Sequence, residues 1–502
     1  MAKAQKSRAS KQAYISPGQY TLVGFESPFS RTLKPTNRWV TLSHKIPWDL
    51  LVGVYEKQMH NDDFGASGIN PRVAIGAIII KHICDLSDRE TVLQIQENMY
   101  MQYFIGYSSF SDEEVFDPSL FVELRKRLGM EQINLINEKI MGLSQEDEKG
   151  DVRAPVQQEQ QVQDQEQTSA TAATANQGKL IVDATACPQD ISYPTDLNLL
   201  SDAREKSEEL IDLLYDARIH GKKPRTYRER ARKFYLQTAQ KKLKSKQEIR
   251  RALRRQLVFL KRNIGNIYRL LDATEHINLD RIRYKYFLVI QTLYDQQAKM
   301  YAQKTHSVEH RIVSIHQPHV RPIVRGKANA YVEFGAKIQV SLMNGIAFLD
   351  HLSWEAFNEG THLMSTVGHY KRRFGYYPAT VLADKIYCNR ENRANLKQQG
   401  IELRAKPLGR PAKAVEAHVS PGERNPIEGK FGQAKTAYGL NRIKARLQQT
   451  SQSWIASIIL VLNLVNLTGQ VSFARIFTLW MNWALPNFSF YPKPFTYSAD
   501  PI

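Results

Sequence analysis

The chain has 502 residues, with 69 Lys and Arg against 50 Asp and Glu and a formal charge of +19. That length leaves room for two or three cores, and the charge argues against an ordinary metabolic enzyme and for a polyanionic partner, most simply nucleic acid. Three cysteines, Cys84, Cys187 and Cys388, show no ligand spacing, which speaks against a disulfide framework or zinc knuckle and makes a reducing compartment the default.

The basic N-terminus, MAKAQKSRASKQAY, leads into no apolar segment, so no secretory signal is expected and residues 1–44 read as a tail. Residues 45–143 read as an all-α domain. Asn70-Pro71 starts one helix, Ser87 with Glu90 forms a capping box for the next, and Asp117-Pro118 opens a third that stops at Gly129. The third carries Arg125, Lys126 and Arg127; this suits a DNA-binding domain, and a solvated charged face fits equally well. Residues 144–178 are rich in Gln, Glu, Ala and Thr and read as a disordered linker.

KLIVDATACPQD follows, an apolar run ending on Asp183 that suits a strand buried on both faces. Residues 201–309 then read as a helical insertion. Between 222 and 262 Glu229 and Glu248 are the sole acids among many Lys and Arg. A merely solvated helix alternates charge sign, so phosphate contact is favoured, with Arg250, Arg251, Arg254 and Arg255 as candidates. Strand-like sequence resumes with EFGAKIQVSL, MNG and IAFLDHLS, a β-hairpin, and a helix spans about 360–374. ATVLADKIY is a second buried-strand signature, ending on Asp384; RENRANLKQQ is a short helix stopped by Gly400, and IELRA a short strand. The apolar run at 454–467 is too short to span a bilayer, contains two Asn and reads as a buried closing helix. Without the insertion, 179–200 and 310–475 form one α/β domain, and 476–502 a C-terminal tail.

RNPIEGKFGQAK, 424–435, has two readings. Asn425 can cap a helix, with Pro426 at its first position and Glu428 as capping-box partner. Alternatively, Glu428 joins Asp183 and Asp384, acids at strand ends where α/β sheets place their chemistry. Carboxylates are hard oxygen ligands suited to magnesium, and two such ions support phosphodiester displacement. On a helix Arg424 and Lys435 would share a stripe with Glu428 and hold the DNA backbone. Asp350, Asp190 and Asp196 compete for a place in the set, and periodicity leaves the choice open.

The spacing Arg424, three residues, Glu428, six residues, Lys435 resembles the R-x3-E-x6-K signature around the catalytic glutamate of DDE transposases of bacterial insertion sequences; the family's preceding Tyr is replaced by Pro421. LIVDATACPQDISYPTDLNLL and ATVLADKIYCNRENRANLKQQGI look like the family's two aspartate segments, with Ile386 where a Gly is usual. PWDLLVGVY, LSDRETVLQIQENMYMQYFIG and FDPSLFVELRKRLG are similar to its N-terminal helical domain.

The resemblance implies an RNase H-like mixed-sheet catalytic domain, interrupted by the basic helical insertion and preceded by the all-α domain. It favours Asp384 over Asp350. Asp183, Asp384 and Glu428 are then the catalytic and metal-binding acids, with Mg2+ as cofactor and Mn2+ able to substitute. The implied partners are double-stranded DNA, as terminal inverted repeats and target, and a second copy of the chain; no membrane is implied. The implied setting is the bacterial cytoplasm, with nucleoid association when bound. An RNase H-like nuclease without strand transfer and a non-catalytic DNA-binding protein are the alternatives. VDAT departs from a D-x-D-x-T phosphatase motif, and His316 with His319 reads as structural.

Overall fold

The computed structural model describes residues 32–57, 68–141, 175–274, 279–327, 330–406 and 421–467. The Gln-rich stretch up to residue 174 and the expected C-terminal tail lie outside them.

Seven helices come first: α1 (Arg38–Lys45), α2 (Trp48–Glu56), α3 (Pro71–Ile83), α4 (Asp88–Glu97), α5 (Met99–Ile105), α6 (Leu120–Arg127) and α7 (Met130–Ile140). Asn70 Oδ1 accepts from Arg72 N at 2.9 Å and Ser87 Oγ from Glu90 N at 3.1 Å as expected, but the Glu90 carboxylate accepts from Gln94 Nε2 at 3.1 Å, so the expected capping box is half formed. α1 corrects the expected tail before residue 45; Asn37 caps it, and Trp39 and Leu42 are buried. α3 is apolar almost all round and buried nearly end to end, as such a helix must be.

The mixed sheet comprises β1 (Lys179–Pro188), β2 (Arg321–Lys327), β3 (Ala330–Met343), β4 (Ile346–Ser353), β5 (Thr380–Leu382) and β6 (Glu402–Arg404). β3 and β4 form the antiparallel hairpin, β1 lies antiparallel to β3 and parallel to β5, and β6 extends the parallel half. This is the RNase H-like arrangement. β2, which pairs with the first half of β3, escapes the sequence pattern because RPIVRGK is basic and contains a proline. Gly335 marks the close passage of β3 over β1: a Cβ there would lie 2.0 Å from the Cys187 carbonyl oxygen.

Both faces of β1 are covered. Leu180 and Val182 pack toward α13 (Leu363–Phe374) and α14 (Arg390–Gln398), while Ile181 and Cys187 join a larger core with α15 (Pro421–Ala437) and α16 (Gln448–Leu467). That larger core also contains the N-terminal helices. By length and composition α16 could cross a membrane, yet most of it is buried, packed on α3, α6, α7 and β4. Asn463 fastens three of these elements: its Nδ2 donates to Asn137 Oδ1 at 2.9 Å and to the Ala347 carbonyl at 2.8 Å, and Ala347 N donates back at 2.8 Å. The N-terminal helices and the sheet thus share one core.

The segment between β1 and β2 supplies α8 (Asp196–Leu214), α9 (Ala217–His220), α10 (Arg228–Ala239), α11 (Lys246–Asp272) and α12 (Arg281–Gln303), beginning before the expected residue 201. Leu200, Ile211, Leu260, Ile267, Ile290 and Leu293 form a core of their own there.

Candidate active site

Strand register brings the two aspartates together. β1 and β5 run parallel with Ile181 opposite Leu382, so two residues further Asp183 comes level with Asp384. Asp183 lies in the middle of β1 rather than at its end, because ATAC beyond it is also buried and stays in the sheet. Its Oδ1 accepts from Ala184 N at 2.8 Å. Asp384 follows β5 and caps a 3-10 turn, Lys385–Tyr387, accepting from Lys385 N at 2.7 Å.

Arg424 of α15 reaches both: Nη2 is 3.3 Å from Asp183 Oδ2 and Nη1 is 3.4 Å from Asp384 Oδ1. Both contacts exceed the roughly 2.7–2.9 Å of a tight charge-assisted bond. The described part of α15 begins at Pro421, so Asn425 and Pro426 do not start it, which corrects the capping reading. Pro426 sits inside the helix, where it forgoes one main-chain hydrogen bond. Ile427, Phe431, Ala434 and Tyr438 are buried, and Arg424, Glu428 and Lys435 form a neighbouring stripe. Glu428 is exposed, one turn beyond Arg424; Lys435 lies half-buried in the last turn.

Burial raises the Asp183 carboxyl to about 6; the Ala184 N–H and Arg424 oppose that rise, and Glu359 and Asp384 add to it. Glu359 and Tyr387 escaped the sequence reading. Tyr387 lay in the second aspartate segment but drew no role, and Glu359 carried no signal at all. Glu359 is ion-paired to Lys337 at 2.9 Å. Tyr387 is fully buried, and its hydroxyl has no hydrogen-bond partner among the described residues.

The competing acids are engaged elsewhere. Asp350 is buried against Arg373 at 2.9 Å and His369 at 3.4 Å, and Arg373 also pairs with Glu138 of α7 at 2.6 Å. Burial alone would raise the Asp350 carboxyl, but Arg373 and His369 hold it below its usual value. Asp190 pairs with Arg442 at 3.0 Å, and Asp196 with Arg311 at 2.7 Å.

Of the basic candidates, Arg125 needs correction. It is buried, forming two hydrogen bonds to Asp88 at 2.9 and 2.8 Å, so it presents no free cation to DNA. Lys126 is exposed but pairs with Glu123 at 2.6 Å, and Arg127 lies 3.4 Å from the Tyr55 hydroxyl. Arg250 donates to the Tyr301 carbonyl at 3.1 Å. Arg251, Arg254 and Arg255 are exposed on α11, Arg255 stacking over Phe234 at 4.4 Å.

Among the described residues no group of three or more His, Cys, Asp or Glu closes on a single point. Asp183 and Asp384 nonetheless fit a hard divalent cation, which is commonly held by one or two carboxylates, with waters and substrate phosphates supplying the rest.

Two family profiles match the chain: one described as "Transposase DDE domain" over residues 381–465, and one as "Transposase domain (DUF772)" over 28–127. The first spans Asp384, Arg424, Glu428 and α16; the second spans α1 to α6. A Rhizobium meliloti protein named "Uncharacterized protein ORF8 in nfe locus" is 28% identical over 178 residues, 35% of this chain and 73% of that protein. No solved structure matches the chain.

Proposed function

We propose that this chain, related through both matched domains to the DDE transposases of bacterial insertion sequences, binds terminal inverted repeats and catalyses metal-dependent cleavage and strand transfer of DNA. A transposase role in general rests on those matches. The observation that carries the chemistry is the Arg424 bridge, which draws residues 183, 384 and 424 to one point from three distant parts of the sequence.

Asp183 and Asp384 would hold the divalent metal, Mg2+ with Mn2+ able to substitute, and Glu428 would contribute the third carboxylate from α15. Bound metal would activate the attacking oxygen, first of water and then of the freed 3′-hydroxyl, and stabilise the leaving oxygen. Arg424 would move its charge from the aspartates to a DNA phosphate, and Lys435 would take a second phosphate on the same stripe. The exposed Arg251, Arg254 and Arg255 would hold the backbone of the repeats in a salt-dependent way. Two DNA ends must meet, so a dimer on DNA acting in the bacterial cytoplasm belongs to this reading.

The exposed position of Glu428 favours a second reading, a DNA-binding protein without catalysis. One experiment separates them: purified protein, DNA carrying the inverted repeats that flank its gene, and Mg2+ or EDTA, with Asp384→Asn as control. Mg2+-dependent cleavage and end joining, lost in the variant while binding persists, supports transposition. Cleavage without joining supports a nuclease, and binding without cleavage under any divalent metal supports the second reading.

A further inference from the structure

Glu359 opens a 3-10 turn, Glu359–His362, between β4 and α13. That turn packs directly on the one that follows Asp384. A Cβ on Gly360 would come within 2.7 Å of the Ile386 carbonyl oxygen, so glycine permits the approach. Asn392 Nδ2 then ties the two turns together, donating to the Gly360 carbonyl at 2.7 Å and the Tyr387 carbonyl at 3.0 Å. The close approach at Gly360 and the Asn392 side-chain bridge thus fix the turn that carries Glu359 against the one that follows Asp384.

Its side chain is held as well. Lys337 Nζ lies 2.9 Å from Glu359 Oε1 and donates to the Phe357 carbonyl at 2.8 Å; the two ion-paired side chains are 15% and 17% exposed. The Glu359 charge, like that of Asp384, adds to the burial that raises the Asp183 carboxyl, against the Ala184 N–H and Arg424. Burial pushes the Tyr387 phenol up, and Glu359, Asp183 and Asp350 add to that rise against Arg424. The Tyr387 O–H is buried with no hydrogen-bond partner among the described residues, an unsatisfied donor on the turn that follows Asp384.

We propose that Glu359 is a fourth acidic member of the site: a positioning residue that strengthens divalent-cation binding by Asp183 and Asp384. This rests on the reading of those aspartates as the metal-binding pair. A carboxylate held in a partly dry environment adds attraction for a dication that bulk water would screen. Lys337 moderates that attraction by sharing the same carboxylate.

The test is Mn2+ binding to the full-length, DNA-free protein, read from the loss of the free-ion EPR signal. Glu359→Gln is expected to weaken Mn2+ binding by about tenfold, with the Glu359→Asp variant recovering part of it. Lys337→Met, which leaves the carboxylate uncompensated, is expected to tighten it severalfold, a result that loss of structure would not give. Asp384→Asn should abolish high-affinity binding. If Asp384→Asn loses Mn2+ while Glu359→Gln and Lys337→Met bind as the parent does, this inference is overturned and the metal reading stands. If Asp384→Asn binds as the parent does, the metal reading itself falls.

Discussion

Asp350 tests whether an acid at the end of an apolar strand is chemistry or structure. Its side chain is 1% exposed, that of Arg373 6%, and that of Glu138 18%, so the cluster is a nearly dry junction between β4, α13 and α7. Removing one partner of such a pair leaves the other charge buried and uncompensated, which costs about 3–5 kcal/mol. Asp350→Asn keeps the shape and leaves Arg373 its 2.6 Å contact with Glu138, so the lower end, about 3 kcal/mol, is expected. Arg373→Ala strands Asp350 and also removes the guanidinium from over the Phe348 ring at 4.4 Å, so the upper end, about 5 kcal/mol, is expected. Urea unfolding should show both midpoints lowered at constant slope, with DNA cleavage retained by whatever fraction stays folded. An unchanged midpoint for Asp350→Asn, together with loss of cleavage, would refute the structural assignment and return Asp350 to the catalytic set.

Arg424→Gln removes a cation from between the aspartates, so Mn2+ should bind the DNA-free protein roughly tenfold more tightly while end binding weakens; unchanged Mn2+ affinity in a calorimetric titration would count against the bridge. Asp183 has a folded pKa of about 6 against roughly 3.9 unfolded, so stability is lost as pH rises from about 4 to 6. Asp183→Asn should accordingly stabilise the metal-free protein by up to about 3 kcal/mol at pH 7 and by little at pH 4, read from urea midpoints. Gly335→Ala places a methyl group 2.0 Å from the Cys187 carbonyl oxygen, so β1 and β3 must part; a loss of about 3 kcal/mol or more in thermal or urea unfolding is expected. A chain beginning at residue 175 lacks α1 to α7, exposes the apolar surface of α16 and should aggregate on purification; a monodisperse, folded product would contradict the shared core.

Local chemistry made some of this fold legible. The LIV and ATVL runs read as buried strands because β1 and β5 are covered on both faces, and Asn70 and Ser87 announce helix starts through hydrogen bonds only two or three residues long. What depends on distant partners was hidden. Arg125 looks like surface charge until Asp88, 37 residues away, folds against it. Asp350 and Asp384 both follow apolar runs, so periodicity leaves them equal; the resemblance favours Asp384, and the tertiary contact with Arg373 shows what Asp350 does instead. Glu359 has no motif; its turn comes against the one after Asp384 because Gly360 lets one settle on the other. The start of α15 was misplaced because Asn425-Pro426 carries a strong capping signal, whereas the described helix already runs from Pro421.

The cations around Glu428 acquire a physical sense from this geometry. Two carboxylates level with each other, one in β1 and one just past the end of β5, repel, and burial makes ionisation of Asp183 harder still. A guanidinium spanning both offers a planar fork that satisfies one oxygen of each, which a lysine ammonium could do only as a point charge. The contacts are long, so little is lost when a divalent cation replaces the fork and a phosphate takes it over. Under the proposed function, Arg424 would serve the acids before DNA arrives and the DNA afterwards. α15 is held for that exchange by its buried face against β1 and α16, and α16 in turn by the N-terminal helices, so packing far from the chemistry sets where the charge can go.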